Sequence, residues 1–133
     1  MPEMTHLQIV ALYAALNALI ALVLAINAGG LRGKTKVLLG DGGNDNMLRA
    51  MRAHANNAEY VPLVLVLLLL LGILKSSTFL LHGVGAALTV GRILHGVGLN
   101  MSGGLSFGRI AGTALTFIAI IAEIVALLMA AFA

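Results

Sequence analysis

The chain has 133 residues, of which 60% are hydrophobic and 10% are charged, whereas a soluble domain is about 45–50% apolar and about 25% charged. This composition indicates an integral membrane protein of one domain, because long apolar runs alternate with short polar stretches. The net charge is +3, but no basic run is interleaved with aromatic residues, so nucleic-acid binding is not predicted. Cysteine is absent, which excludes disulfides, thiolate metal ligands and a cysteine nucleophile; no metal site is predicted.

The first predicted span covers residues 7–28, an apolar stretch long enough to cross about 30 Å of hydrocarbon as a helix. No basic segment precedes it and it is too long for a signal-peptide core, so we interpret it as a retained span. Residues 29–45 are rich in glycine and charge and are predicted to form a loop that no helix crosses.

The second predicted helix covers residues 46–74, with Asp45 as its N-cap. Its first half is polar, and its second half is an apolar run from Val61 to Leu74. Such a helix would be about 43 Å long, more than the hydrocarbon core needs, so the polar half is expected at the interface or inside an assembly. Pro62 is expected to kink it.

The third predicted span, residues 79–99, follows a short turn and carries Arg92 and His95; the fourth, residues 106–132, carries Arg109 in its first turn. Gly108 and Gly112 have GxxxG spacing, which permits close helix packing in lipid. The predicted fold is therefore an all-α bundle of four transmembrane helices. Basic residues in the first loop place loops one and three on the cytoplasmic side.

Helix two carries a polar stripe. At 100° per residue, one side of this helix collects Asp45, Arg49, Arg52, Asn56, Glu59 and Tyr60. Arg92 and His95 share a face of helix three, and Arg109 begins helix four at the same depth. His54 points away from the stripe and is expected to pack against a neighbouring helix.

Ionisable groups inside a bilayer cost several kcal/mol unless they face a cavity or one another, so this cluster is a candidate functional site. Arginines outnumber acids in it, which favours an anionic ligand that also carries an ammonium group. The arginines would bind its carboxylates and Glu59 its amine. The alternative is internal pairing, of Arg52 or Arg92 with Glu59.

Two further polar residues, Asn17 and Glu123, are isolated within apolar spans. We interpret both as interhelical hydrogen-bond partners. An alternative for Glu123 is a proton relay in a small proton-coupled exporter.

The segment from Arg49 to Pro62 resembles a family signature. Its pattern Arg-Ala-x-x-Asn-x-x-Glu-Tyr-x-Pro is similar to helix two of the MAPEG family, membrane-associated proteins in eicosanoid and glutathione metabolism. Gly91 to His95, followed by Arg109, resembles the family's helix-three and helix-four pattern. Residues 39–43 are similar to bacterial members in particular.

The resemblance implies a homotrimer in the bacterial inner membrane that binds glutathione between subunits near the cytoplasmic face. It implies conjugation of glutathione to a lipophilic electrophile that arrives through membrane lipid, or a peroxidase reaction. Leu99 stands where eicosanoid-type members often have a tyrosine, so eicosanoid specificity is not expected. A glutathione- or anion-binding protein without turnover stays an alternative.

The resemblance also assigns roles to individual residues. Arg109 would stabilise the thiolate, because a nearby positive charge lowers the pKa of a thiol. The peptide of glutathione would be held by Arg52, Asn56, Glu59 and Tyr60 of helix two, by Arg92 and His95 of helix three, and by Arg32 of the neighbouring subunit.

Overall fold

Residues 3–132 fold into four α-helices. The computed structural model describes residues 3–132, and its helices are α1 (His6–Thr35), α2 (Asp45–Ile73), α3 (Thr78–Met101) and α4 (Phe107–Ala131). Each helix is long and apolar enough to cross a membrane. No strand occurs among residues 3–132. The predictions of an all-α fold and of four spans are confirmed.

The two central helices of the bundle are α2 and α3. Helix α1 packs against both of them on one side, and α4 packs against both on the other. The main apolar core lies in the half of the bundle where α2 ends and α3 begins, and it includes Val64, Leu68, Leu71, Leu81 and Leu88. The other half contains the polar residues of the candidate site.

Glycines bring α3 and α4 into close contact. A Cβ atom on Gly112 would lie 2.5 Å from the carbonyl oxygen of Gly91, and one on Gly108 would lie 2.6 Å from that of Leu94. Both neighbours are backbone atoms, which cannot move aside as a flexible side chain can. The interpretation of Gly108 and Gly112 as close-packing residues is therefore confirmed.

Helix α1 is longer than predicted: the loop predicted over residues 29–45 is confined to residues 36–44, and the prediction is wrong for residues 29–35. The helix continues through Gly29 and Gly30 to Thr35. A helical glycine costs only about 1 kcal/mol relative to alanine, and the following turn is stabilised locally. Thr35 Oγ1 donates to the carbonyl of Leu31 at 2.8 Å. Lys36 then ends the helix in a left-handed conformation (φ 55°).

The bounds of the other helices are close to the predicted 46–74, 79–99 and 106–132. The N-cap of α2 is Asn44 rather than the predicted Asp45, because Asn44 Oδ1 accepts from the backbone N–H of Met47 at 3.0 Å. Asp45 is instead the first helical residue, where a carboxylate complements the helix dipole. Helix α2 runs through Pro62 without a break in its range, and the kink stays a prediction.

Candidate functional site

A polar cavity of about 250 Å³ lies at the end of the bundle where α2 and α4 begin and α3 ends. It is lined by Leu48, Arg49, Arg52, Asn56, His95, Leu99, Gly103 and Arg109. Three guanidinium groups thus meet an amide and an imidazole, and none of these lining residues is acidic. Four of the predicted site residues are brought together here: Arg52, Asn56, His95 and Arg109.

The periodicity of the helices explains how the polar cavity forms. Arg49, Arg52 and Asn56 follow one another at helical spacing along α2, so they share one face. Helix α4 begins next to the end of α3 because glycines allow the contact. A Cβ atom on Gly98 would lie 2.8 Å from the backbone nitrogen of Arg109. The first turn of α4 therefore places Arg109 beside α3.

Arg92 lies behind the polar cavity and is almost fully buried, with 1% of its surface exposed. Its Nη2 donates to Asn56 Oδ1 at 2.7 Å, and its guanidinium carbon lies 5.9 Å from the centre of the Tyr60 ring. The amide and the ring face together compensate part of the desolvation of this charge. Arg92 therefore positions Asn56, which itself lines the cavity.

Glu59 lies outside the lining of the polar cavity. Its Oε1 is 3.9 Å from Nη1 of Arg52, and the two side chains are 54% and 57% exposed. An ion pair this long and this exposed contributes little to stability. Arg52 and Glu59 therefore form a weak pair within α2 that joins no two helices, and Arg92 bonds to an amide rather than to Glu59. Ligand binding by Arg52 and Glu59 stays a prediction.

Tyr60 also lies behind the polar cavity. Its ring packs against Phe117 of α4, with 5.8 Å between the ring centres, and beside Arg92. Tyr60 therefore links α2 to α3 and α4 in this chain. Ligand binding by Tyr60, implied by the family resemblance, stays a prediction.

Arg109 is held by the loop that precedes α4. Its Nη1 donates to the carbonyls of Gly103 at 3.2 Å and Gly104 at 2.6 Å. These bonds orient the guanidinium of Arg109 at the wall of the polar cavity.

His95 lines the same cavity. Its side chain is buried, and its Nδ1 has no hydrogen-bond partner among residues 3–132.

Arg32 does not line the polar cavity of its own chain. Its Nη1 donates to the carbonyls of Val37 at 3.3 Å and Gly40 at 3.0 Å, so it fastens the loop between α1 and α2. Its suggested role in a neighbouring subunit's site stays a prediction.

Arg49 lies on the predicted stripe, but the family resemblance implies no individual role for it. It lines the polar cavity, its Nε donates to the carbonyl of Asn100 at 3.3 Å, and Nη2 bonds to Asn46. The signal was present in the sequence, because Arg49 lies on the same stripe as Arg52 and Asn56.

The isolated polar residues have different surroundings. Asn17 Nδ2 donates to Thr89 Oγ1 at 2.9 Å across the α1–α3 contact, which confirms its interhelical role. Glu123 is fully buried, and neither of its carboxylate oxygens has a hydrogen-bond partner among the described residues. An interhelical hydrogen-bond partner for Glu123 and its alternative role in a proton relay both stay predictions.

His54 is exposed. The prediction that it packs against a neighbouring helix is therefore not met within its own chain.

Four spans, three of which line a positively charged cavity, define a multi-pass membrane protein with a candidate anion site. Comparison with known proteins places it more narrowly. The model of the MAPEG family matches residues 10–129, and the chain belongs to that family.

Its sequence is similar to that of "Inner membrane protein YecN" from Escherichia coli strain K12. The two are 36% identical over 90 residues, which is 68% of this chain and 69% of the relative. The protein of the same name from Escherichia coli O6:H1 matches equally. No solved structure matches the chain.

Proposed function

We propose that this protein is a membrane-bound glutathione transferase that conjugates glutathione to a lipophilic electrophile. The observation that carries the proposal is the charge of the polar cavity, whose lining contains Arg49, Arg52 and Arg109 and no acidic residue. Such a site favours a ligand with more than one carboxylate, since arginine binds carboxylates through paired hydrogen bonds.

Glutathione has the complementary groups: two carboxylates, one ammonium group and a thiol. The arginines of the polar cavity would bind its carboxylates, and Asn56 would bind a peptide group. Glu59, whose carboxylate lies 3.9 Å from the guanidinium of Arg52, would accept a hydrogen bond from the ammonium group at the edge of the cavity. The ligand would also supply the thiol that this cysteine-free chain lacks.

The exposed polar face of α2 supports assembly with further copies of the chain. Arg49 bonds to Asn100 near the end of α3, and Glu59 lies ten residues, or about 15 Å, deeper along the helix. A carboxylate that is 54% exposed at this depth cannot face hydrocarbon without a large penalty. We therefore propose that α2 faces other subunits, in a homotrimer.

The volume of the polar cavity agrees with completion by a neighbouring subunit. Small-molecule sites usually enclose about 300–1,000 Å³, and this cavity encloses about 250 Å³ in a single chain. Arg32 of the neighbour is the proposed additional contact. Its guanidinium would have to release one of the two loop carbonyls to which it donates and bind the ligand instead.

An apolar cavity of about 540 Å³ lies between α1 and α3, on the other side of Arg92. Most of its lining is apolar and includes Leu19, Ile20, Val23 and Leu24; the polar lining residues are Asn27, Arg92 and Asn100. A space of this kind suits an apolar molecule that partitions into the membrane before it reacts. It supports a lipophilic second substrate.

The chemistry proposed for the site is a nucleophilic displacement. The guanidinium of Arg109 would lower the pKa of the bound thiol and so raise the fraction present as thiolate. The thiolate sulfur then donates its electron pair to the electrophilic carbon, a C–S bond forms, and the leaving group departs with the pair from the broken bond. The thiol proton goes to water.

By analogy with the similar Escherichia coli protein, whose name places it in the inner membrane, we propose that this protein also lies in the bacterial inner membrane.

Binding calorimetry on the protein purified in mild detergent tests the proposal. Wild type is titrated with glutathione beside Arg52→Ala and Glu59→Gln, with Lys75→Ala as a matched charge removal at the opposite end of the bundle. Saturable binding that is lost in Arg52→Ala, weakened in Glu59→Gln and kept in Lys75→Ala is expected. Absence of binding to folded wild type would contradict the proposal.

A glutathione-binding protein without turnover is the second candidate. The observation that favours it is the engagement of Arg109 Nη1 by two loop carbonyls, which reduces the donors it can offer to a thiolate. Saturable glutathione binding without conjugation of a panel of chlorinated nitrobenzenes, epoxides and unsaturated aldehydes would support this candidate over the transferase.

A further inference from the structure

The loop between α1 and α2 displays two adjacent leucines. Leu38 is 92% exposed and Leu39 is 90% exposed, and both lie outside the helices. Most other exposed apolar side chains of this protein lie on the spanning helices, where lipid covers them. Leu38 and Leu39 do not lie on a spanning helix, so the surface that covers them has to be inferred from the depth and the charge of the loop.

The two leucines are held in place rather than left on a free tip. Arg32 Nη1 donates to the carbonyl of Val37 before the pair and to that of Gly40 after it. The side chain of Val37 packs over Gly42, where a Cβ atom would lie 2.5 Å from Val37 Cγ2. The segment 37–40, here called the leucine loop, therefore folds back beside the last turn of α1 with its leucines outward.

Hydrogen bonds between helices show the depth of the leucine loop. Asn27 Nδ2 donates to Asn100 Oδ1 at 2.9 Å, and Arg49 Nε donates to the Asn100 carbonyl at 3.3 Å, so these three residues share one level. The apolar run of α1 ends at this level, which marks the hydrocarbon boundary. Arg32 is five residues, or about 7.5 Å, farther out. The leucine loop, which is bonded to Arg32, therefore lies in the outer part of the headgroup layer, which is roughly 5–8 Å thick on each side.

The charges next to the leucine loop are suited to an anionic surface. Lys34 and Lys36 precede the leucines and are both exposed. The carboxylate nearest along the chain, Asp41, accepts from the backbone N–H of Gly43 at 2.9 Å and is thereby turned into its own loop. Basic residues beside apolar side chains at headgroup depth are the combination that binds anionic lipid.

We propose that the leucine loop is a lipid-binding element that contacts anionic phospholipids, with Leu38 and Leu39 inserted among the lipid headgroups. Lys34 and Lys36 contact the lipid phosphates. The loop thereby fixes the end of α1, and with it Arg32, at a defined depth in the bilayer. This inference does not depend on glutathione binding or on transferase activity.

The absence of cysteine makes site-directed spin labelling the direct test. Leu39→Cys and, as a control at similar depth, Asp45→Cys at the exposed start of α2 are labelled with a nitroxide. The full chain is reconstituted into vesicles of phosphatidylcholine, with or without phosphatidylglycerol. Collision rates are measured with oxygen, which partitions into lipid, and with a water-soluble nickel complex.

With phosphatidylglycerol, the label at residue 39 is expected to collide severalfold more with oxygen, relative to nickel, than the label at residue 45. The ratio at residue 39 should fall without phosphatidylglycerol, in high salt, and in a Lys34→Gln/Lys36→Gln background. Equal and high nickel access at both positions would overturn the proposal, since the loop would then lie in water. Protection of residue 39 from both reagents would also overturn it, because the leucines would then pack against another subunit.

Discussion

Arg92 of α3 donates a hydrogen bond of 2.7 Å to Asn56 of α2, and this bond joins the two central helices directly behind the polar cavity. Arg92 is 1% exposed, so its charge is compensated by Asn56 and the Tyr60 ring rather than by water. The same amide lines the cavity on its other side. This one contact therefore contributes both to the stability of the bundle and to the shape of the candidate site.

Removal of the Asn56 amide should destabilise the protein. Asn56→Ala leaves the buried Nη2 of Arg92 without its acceptor, and we expect the free energy of unfolding to fall by about 2 kcal/mol. The measurement is an SDS titration of the protein in mixed micelles. His54→Ala, which removes an exposed polar side chain on the same helix, should change the free energy by less than about 0.5 kcal/mol. Equal effects of the two substitutions would contradict the structural role given to Asn56.

Close packing of α3 and α4 predicts unequal tolerance of alanine among the glycines. Gly112→Ala would place a Cβ atom 2.5–2.6 Å from backbone atoms of Gly91 and His95, and we expect a loss of about 1–3 kcal/mol of stability. Gly83→Ala on α3 meets nothing within 4 Å and should be neutral or slightly stabilising. Thermal unfolding in detergent compares the two. Tolerance of alanine at residue 112 would show that the helices do not approach this closely.

The Asn17–Thr89 bond should couple α1 to α3. Single Asn17→Ala and Thr89→Ala substitutions and their combination form a double-mutant cycle. Interhelical hydrogen bonds in membrane proteins average about 0.6 kcal/mol and reach about 1.7 kcal/mol, so we expect a coupling energy in this range. Strictly additive effects would mean that the 2.9 Å contact contributes no net stability.

Arg109 should act on the reaction more than on binding. If the charge of Arg109 stabilises the bound thiolate, Arg109→Ala raises the pKa of the thiol. We then expect the rate of conjugation to fall by about 100-fold and the pH profile of this rate to move to higher pH. Arg109→Lys keeps the charge and should restore part of the rate. Stopped-flow kinetics across pH and calorimetry separate the two effects. A large loss of glutathione affinity with an unshifted pH profile would instead make Arg109 a binding residue.

The sequence predicts most of the fold because four long apolar runs and a 100° stripe are strong signals. It misplaces the end of α1, because Gly29 and Gly30 favour a turn in the sequence, whereas a helix tolerates two glycines when local contacts support the next turn. The N-cap of α2 differs by one residue, since Asn44 and Asp45 are both good caps and only the backbone conformation decides between them.

The candidate site was predictable as a face of α2 but not in its details. Periodicity brings Arg52 and Asn56 together, whereas the places of Tyr60 and Arg92 depend on which residues of α4 and α2 they meet across the bundle. Arg49 was on the predicted stripe, and only its position beside Asn100 shows that it lines the polar cavity. Such contacts depend on the rotation of neighbouring helices, which one sequence does not specify.

The measurement that tests the central claim most directly is calorimetry of folded wild type with glutathione and with its dimethyl ester, in the same detergent and buffer. The two ligands share the thiol and the ammonium group and differ in their carboxylates. If the arginines of the polar cavity bind those carboxylates, glutathione binds saturably and the ester binds at least about tenfold more weakly. Equal binding of both ligands, or no saturable binding of glutathione, would contradict the claim.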